Sequence, residues 1–160
     1  MNSLHKILLT LGCCILTFYG FCTHNRAGEI TYKHVSGLSY EFTITTYTKV
    51  SGLSGDADRQ RLGISWGDGT FDSLSRTSEI FLDADIKQNK YIGIHTYSAP
   101  FTYVVGVSDP NRIDNIINIS NSVNTLFYLE DTVKILDPNI IGYNNSPQLL
   151  NPPIEYGNVG

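Results

Sequence analysis

Apolar and polar residues alternate in short runs from Ala27 to Ile135, and turn-forming residues separate the runs. Ile30 and Tyr32 alternate with Glu29, Thr31 and Lys33. After Ser36-Gly37, Tyr40, Phe42 and Ile44 alternate with Glu41, Thr43 and Thr45. Side chains of a strand point to opposite faces in turn, so this is the pattern of half-buried strands. Leu62, Ile64 and Trp66 form a shorter run that stops at Gly67-Asp68-Gly69, a tight-turn sequence. The same pattern predicts strands at Ser78–Leu82, Tyr91–Tyr97, Thr102–Val107 and Leu126–Ile135, with a further one at Ile113–Ile119, and a loop over Ser51–Arg61. Nowhere does a longer stretch carry the three-and-four apolar spacing of an amphipathic helix. Evenly spaced strands with no helices between them predict an all-β antiparallel sandwich or barrel.

Composition supports a single folded unit with a tail. The chain has 160 residues, of which 41% are hydrophobic and only 16% charged, and it contains ten Tyr, seven Phe and one Trp. That is enough apolar material for a core, which argues against global disorder. The formal charge of -4 comes without a run of either sign, so the basic footprint of a nucleic-acid binder is missing. From Asp137 onward the chain holds Pro138, Pro147, Pro152 and Pro153 with several Asn and Gly. Proline cannot donate to a sheet ladder, so this Pro/Asn-rich part reads as an irregular linker or extended tail.

The first residues read as an export signal. Met1 to Lys6 supply a short basic start, and Ile7 to Tyr19 form an apolar stretch too short to span a bilayer comfortably. Gly20 and Cys22 are small residues at the third and first positions before a cut that would leave Thr23 as the new amino terminus. A lipidated cysteine or an uncleaved anchor are the rival readings. Thr10 ahead of Cys13 and the bulky Phe21 before Cys22 disfavour lipidation. Cys13, Cys14 and Cys22 all precede Thr23, so the exported chain would be free of disulfides and thiolate metal sites. Loss of Lys6 leaves ten bases against fifteen acids, a formal charge of -5. The expected organisation is a signal at 1–22, a sandwich at 23–137 and a tail at 138–160. The exported chain would have no membrane span.

The central stretch resembles the PKD domain, an immunoglobulin-like β-sandwich of seven strands. The residues that carry the resemblance are Ile64-Ser65-Trp66-Gly67-Asp68-Gly69-Thr70, then His95-Thr96-Tyr97, then Phe101 to Asp109 with Tyr103, Val105 and Val107 on one face. The chain departs from that family's pattern at Phe101, where Gly is common, and in the residues before Gly67. Over a longer span, Thr23 to Tyr32 and Asn144 to Ile154 are similar to large exported Bacteroidetes proteins described as gliding-motility-associated, many of which use type IX secretion. That similarity implies an amino-terminal fragment of a larger surface protein or a truncated gene product, with no sorting domain. Asp72-Ser73-Leu74 and Asp131-Thr132-Val133 look like the sites at which such proteins are glycosylated.

Several residues invite a catalytic or metal-binding reading. His95 and Tyr97 could form a pair, with His24, His34, Asp68 and Asp109 recruited to it. The resemblance instead makes His95-Thr96-Tyr97 a strand-end corner whose Tyr hydroxyl ties back to the backbone. Ser65 and Ser73 lie near Asp68 in sequence, but no Gly-x-Ser-x-Gly elbow is present. Gly63 to Gly69 is glycine-rich, yet no helix or Lys follows to complete a phosphate cradle, and Trp66 reads as a core aromatic. Asp56 with Asp58, Asp83 with Asp85, and Asp68 with Asp109 are the carboxylates that calcium would need, although solvated loops look the same. The sequence therefore names no catalytic, cofactor-binding or metal-ligating residue. Two functions from different classes are expected: a non-catalytic extracellular module that spaces, displays or binds, or an accessory carbohydrate- or protein-binding domain of a secreted hydrolase. The partner in either case is an unidentified protein or polysaccharide at the cell surface. Which of Tyr47, Tyr91 and Tyr143 face outward is not legible.

Overall fold

The computed structural model describes residues 25–50, 59–110, 112–137, 142–148 and 150. The export segment with His24, and the Asp56 and Asp58 part of the predicted loop, lie outside the described residues. Seven strands follow in order: β1 (Asn25–Ser36), β2 (Ser39–Lys49), β3 (Arg61–Ser65), β4 (Phe71–Phe81), β5 (Ile86–Thr96), β6 (Thr102–Asp109) and β7 (Phe127–Lys134). All pairings are antiparallel, in the spatial order β1-β2-β5-β4-β3-β6-β7. Among the described residues there is no α-helix, and a short 3-10 turn at Ser122–Asn124 is the one helical element.

The sheet folds over on itself because β4 serves two neighbours. Its first half, Phe71 to Ser75, pairs with β3; past an irregularity at Thr77, Ser78 to Phe81 pair with β5. One layer is thus β1-β2-β5 with the end of β4, and the other is the start of β4 with β3, β6 and β7. At the far side β1 meets β7. A Cβ at Gly28 of β1 would stand 2.8 Å from the Thr45 carbonyl oxygen of β2 and 2.7 Å from Leu129 Cδ1 of β7, so this crowded position favours glycine.

The core lies between the layers, and the period of two dictates it. Tyr40, Phe42 and Ile44 of β2 are fully buried, as are Val105 and Val107 of β6, and Tyr103 is 9% exposed. They pack with Ile30, Leu62, Ile64, Trp66, Tyr91, Tyr97 and Val133 in one cluster. Burial of each such aliphatic or aromatic side chain is worth about 1.5–3 kcal/mol. Asp109 is buried as well, and Arg59 Nε and Nη2 hold its carboxylate at 2.9 and 3.3 Å. A lone buried charge would be costly, and this fork compensates it.

Two expectations are corrected. Ile113–Ile119 is not a strand: it is irregular chain with bends and one turn, with Asn115 inside it and Asn121 just after it in the left-handed region at φ 58° and 52°. Asn tolerates that conformation and breaks a ladder. The strand expected at Ser78–Leu82 begins instead at Phe71, because β4 continues through residues whose polar side chains face out. The described part of the tail is not a strand either, but it docks on β1. The Ser146 amide donates to the Tyr32 carbonyl at 3.0 Å, Tyr32 N donates to Ser146 Oγ at 2.8 Å, and His34 N donates to Asn145 Oδ1 at 2.7 Å. Tyr143 stacks on the His34 ring with centroids 4.6 Å apart.

Candidate functional site

The residues that the sequence singles out meet at one end of the sandwich, where the turn after β3 packs against the end of β5. The turn is closed by Trp66 N donating to the Thr70 carbonyl at 3.1 Å. Gly67 has φ 83°, and a Cβ there would lie 2.5 Å from the Val104 carbonyl oxygen, so both its conformation and its surroundings demand glycine. Within the turn, Asp68 Oδ1 accepts from the Thr70 amide at 3.0 Å and from Thr70 Oγ1 at 2.6 Å. Its other oxygen, Oδ2, accepts from His95 Nε2 at 2.7 Å, an ion pair whenever the imidazole carries its second proton.

Aromatic packing holds this contact in place. The His95 ring lies flat on the Trp66 indole, with centroids 4.8 Å apart and planes 5° from parallel. Tyr97 meets His95 in a T-shaped contact at 4.6 Å and stacks on Tyr103 at 4.2 Å. Aromatic pairs favour these offset and edge arrangements, each worth roughly 0.5–1.5 kcal/mol beyond the area they bury. The Tyr97 hydroxyl donates to the Trp66 carbonyl at 3.1 Å, and the Tyr97 amide donates to the Leu38 carbonyl at 3.1 Å. The Tyr hydroxyl does tie back to backbone, and its acceptor belongs to the residue before the glycine turn.

The electrostatics follow from this geometry. Burial pulls the Asp68 carboxyl upward, but the Thr70 hydroxyl, the His95 ring and the Thr70 amide together outweigh it and hold the pKa at about 2. Tyr97 moves the other way. Burial first, then the neighbouring Asp68 charge and Tyr103, push its phenol well above the ordinary tyrosine range. The result is an ionised carboxylate with hydrogen bonds to both oxygens, beside a phenol that keeps its proton. Such a cluster can clamp a turn to a strand end. It offers neither a phenolate nor a carboxyl poised near neutrality for general acid–base work.

The other candidates are scattered. His34 lies on β1, bonded through Nε2 to the Gly37 carbonyl at 3.0 Å. Asp109 is the buried partner of Arg59. Asp83 Oδ1 caps the Asp85 and Ile86 amides at 2.7 Å each, and Asp85 pairs with Arg26. Among the described residues no three His, Cys, Asp or Glu side chains gather as a metal site. Ser73 is exposed on β4, where its hydroxyl accepts from Arg61 Nε at 3.2 Å and its amide donates to Asp72 Oδ1 at 2.6 Å. Of the three tyrosines whose facing was open, Tyr47 and Tyr91 are buried and Tyr143 is exposed. Gly63 and Gly69 have open space where a Cβ would stand, so neither is required by packing.

A second feature escaped the sequence. On the outer face of β3, β6 and β7 runs a groove of about 330 Å³ lined by Gly63, Ser65, Phe71, Val104, Gly106 and Tyr128 among others. Phe71 is 78% exposed and Tyr128 52%. Its residues share a face only through strand pairing: Gly63 and Ser65 of β3, Val104, Gly106 and Ser108 of β6, with Phe71 of β4 and Tyr128 of β7 beside them. Among the described residues no helix is long and apolar enough to cross a membrane. Comparison with family models, with curated proteins and with solved structures finds no match.

Proposed function

We propose that this chain is a non-catalytic extracellular module: a PKD-like sandwich that spaces, displays or binds at the surface of an exported Bacteroidetes protein of the gliding-motility-associated kind. The observation that carries the reading is the corner. Tyr97 spends its hydroxyl on a backbone carbonyl, and Asp68 spends both oxygens on Thr70 and His95. The residue types that elsewhere perform acid–base chemistry are here bonded to their own fold. The antiparallel order of seven strands, with the glycine turn and the His95-Thr96-Tyr97 end packed together, supports the PKD-like assignment. Export rests on the sequence of residues 1–22.

The test is the native polypeptide itself, recovered from the envelope and medium of its host. Amino-terminal sequencing is expected to read from Thr23, and protease added to intact cells is expected to remove the protein. A chain that keeps Met1 and stays protected inside the cell overturns the proposal.

A further inference from the structure

We infer that the edge of β1 at Tyr32 and His34 is a peptide-binding site for an extended Tyr-Asn-Asn-Ser segment, filled in cis by this chain's own tail and open in trans to the tail of a second copy. Every residue from Tyr143 to Ser146 meets one of those two β1 residues. Tyr143 and Asn145 take His34; Asn144 and Ser146 take Tyr32. The Tyr143 ring lies on the His34 imidazole with planes 11° apart. Asn144 Nδ2 donates to the Tyr32 hydroxyl at 3.0 Å, and Asn145 Oδ1 accepts from His34 N at 2.7 Å. Ser146 Oγ accepts from Tyr32 N at 2.8 Å and donates to the Tyr32 carbonyl at 3.2 Å, beside the Ser146 amide at 3.0 Å. As residue numbers rise along the tail they fall along β1, so the segment lies antiparallel to the strand.

These contacts read sequence. A segment added to a sheet edge is usually held by main-chain bonds, which almost any sequence can supply. Here only the Ser146 amide bonds main chain to main chain, and the other contacts use the side chains of Tyr143, Asn144, Asn145 and Ser146. The receiving side is set in advance. His34 Nε2 faces the Gly37 carbonyl at 3.0 Å; a carbonyl only accepts, so this nitrogen carries the proton and the bond fixes the ring. Tyr40, fully buried, meets the same ring in a T-shaped contact at 5.2 Å, and Tyr32 is anchored in the core cluster. The segment itself is superficial: Tyr143 is 63% exposed, so it can leave without opening the core. Its ends are marked too. Gly142 turns the chain with φ 98°, and Pro147 has no N–H with which to extend a ladder. β1 is the first strand in the sheet order, so among the described residues no strand is hydrogen-bonded to this side of it. A second copy carries the same four residues and so the same fit.

The probe that stands for a second copy's tail is a synthetic heptapeptide with the sequence of residues 142–148, Gly-Tyr-Asn-Asn-Ser-Pro-Gln. The receiver is the full exported chain, isotope-labelled for NMR and carrying Tyr143→Ala/Asn145→Ala/Ser146→Ala, so that its own tail no longer competes. The Tyr32 and His34 amide resonances are expected to move on titration and to saturate with a Kd on the order of 1 mM, as befits a few bonds of ordinary strength. The parent chain is expected to bind the peptide several-fold more weakly, because its tethered tail competes at a comparable local concentration. Adding His34→Ala to the receiver is expected to weaken binding about five-fold through loss of the stack. A peptide with Ala in place of Tyr, the second Asn and Ser leaves the spectrum unchanged. Unaltered emission of the single Trp confirms that the receivers are folded. No movement at Tyr32 and His34 up to about 10 mM peptide, an equal response to the alanine peptide, or equal affinity for the parent chain overturns the assignment and makes the tail contact a fixed part of the fold.

Discussion

Asp68 carries a charge in a place where burial alone would raise its pKa, and the sign of the net effect decides how the corner responds to acid. Its folded pKa of about 2 lies below the ordinary 3.8. A carboxyl depressed in this way contributes stability that is fully present above its unfolded value and is lost as pH falls through the folded one. The contribution is about 2 kcal/mol at neutral pH. Asp68→Asn is therefore expected to be less stable than the parent by about that amount at pH 7, with the gap closing between about pH 4 and pH 2. Urea unfolding of both chains across that range measures it. Asp131, whose pKa burial raises, acts in the opposite sense but equally in both chains, so the difference isolates Asp68. A constant gap down to pH 2 would mean that the hydrogen bonds to Thr70 and His95 do not depend on the charge.

Strands at the edge of a sheet expose unpaired backbone groups, and β1 shows how this chain covers them. At its start, Ile113 N donates to the Asn25 carbonyl at 3.0 Å; at its middle, Gly28 lets β7 approach; toward its end, the tail takes over. There Asn145 and Ser146 supply side-chain oxygens to the His34 and Tyr32 amides, where a neighbouring strand would supply carbonyls. A polar segment that reads as a linker thereby becomes an edge cap. Each such bond is worth about 1 kcal/mol net. The double variant Asn145→Ala/Ser146→Ala is expected to speed amide exchange at Tyr32 and His34 roughly ten-fold, with β2 amides unchanged. Equal protection in variant and parent would show that the tail contact does not hold in solution.

The two layers share one core, so the molecule should melt as one. β4 runs through both, Trp66 packs against Phe42 from the opposite layer with centroids 5.2 Å apart, and the closure at Gly28 ties the last strand to the first. The chain has one Trp, and it is 2% exposed in this core. Its fluorescence is expected to shift to the red on heating in a single transition that coincides with loss of the far-ultraviolet strand signal. Separate midpoints for the two signals would mean that the layers unfold independently.

Alternation alone located most strands, because a half-buried strand writes its geometry into every second residue; Tyr40, Phe42 and Ile44 needed nothing else. Gly67-Asp68-Gly69 likewise announced a turn by its chemistry. Where outward and inward residues are both polar or both apolar, that signal fails. The first half of β4 was missed because only Leu74 among its residues is buried, and Ile113–Ile119 misled because its isoleucines sit on irregular chain, bends and a turn. The contacts of Asp68 with His95 and of Tyr97 with Trp66 join positions about thirty apart in the chain, and only the packing of β5 on the turn after β3 sets their distances. The groove on the outer face of β3, β6 and β7 is a property of pairing as well: Phe71, Ser65, Gly106 and Tyr128 come from four strands, and no local rule puts them side by side. Local pattern determined that this chain is an all-β protein with an inside and an outside. Strand register decided which of its side chains act together, because proximity across a sheet depends on pairing and not on sequence distance.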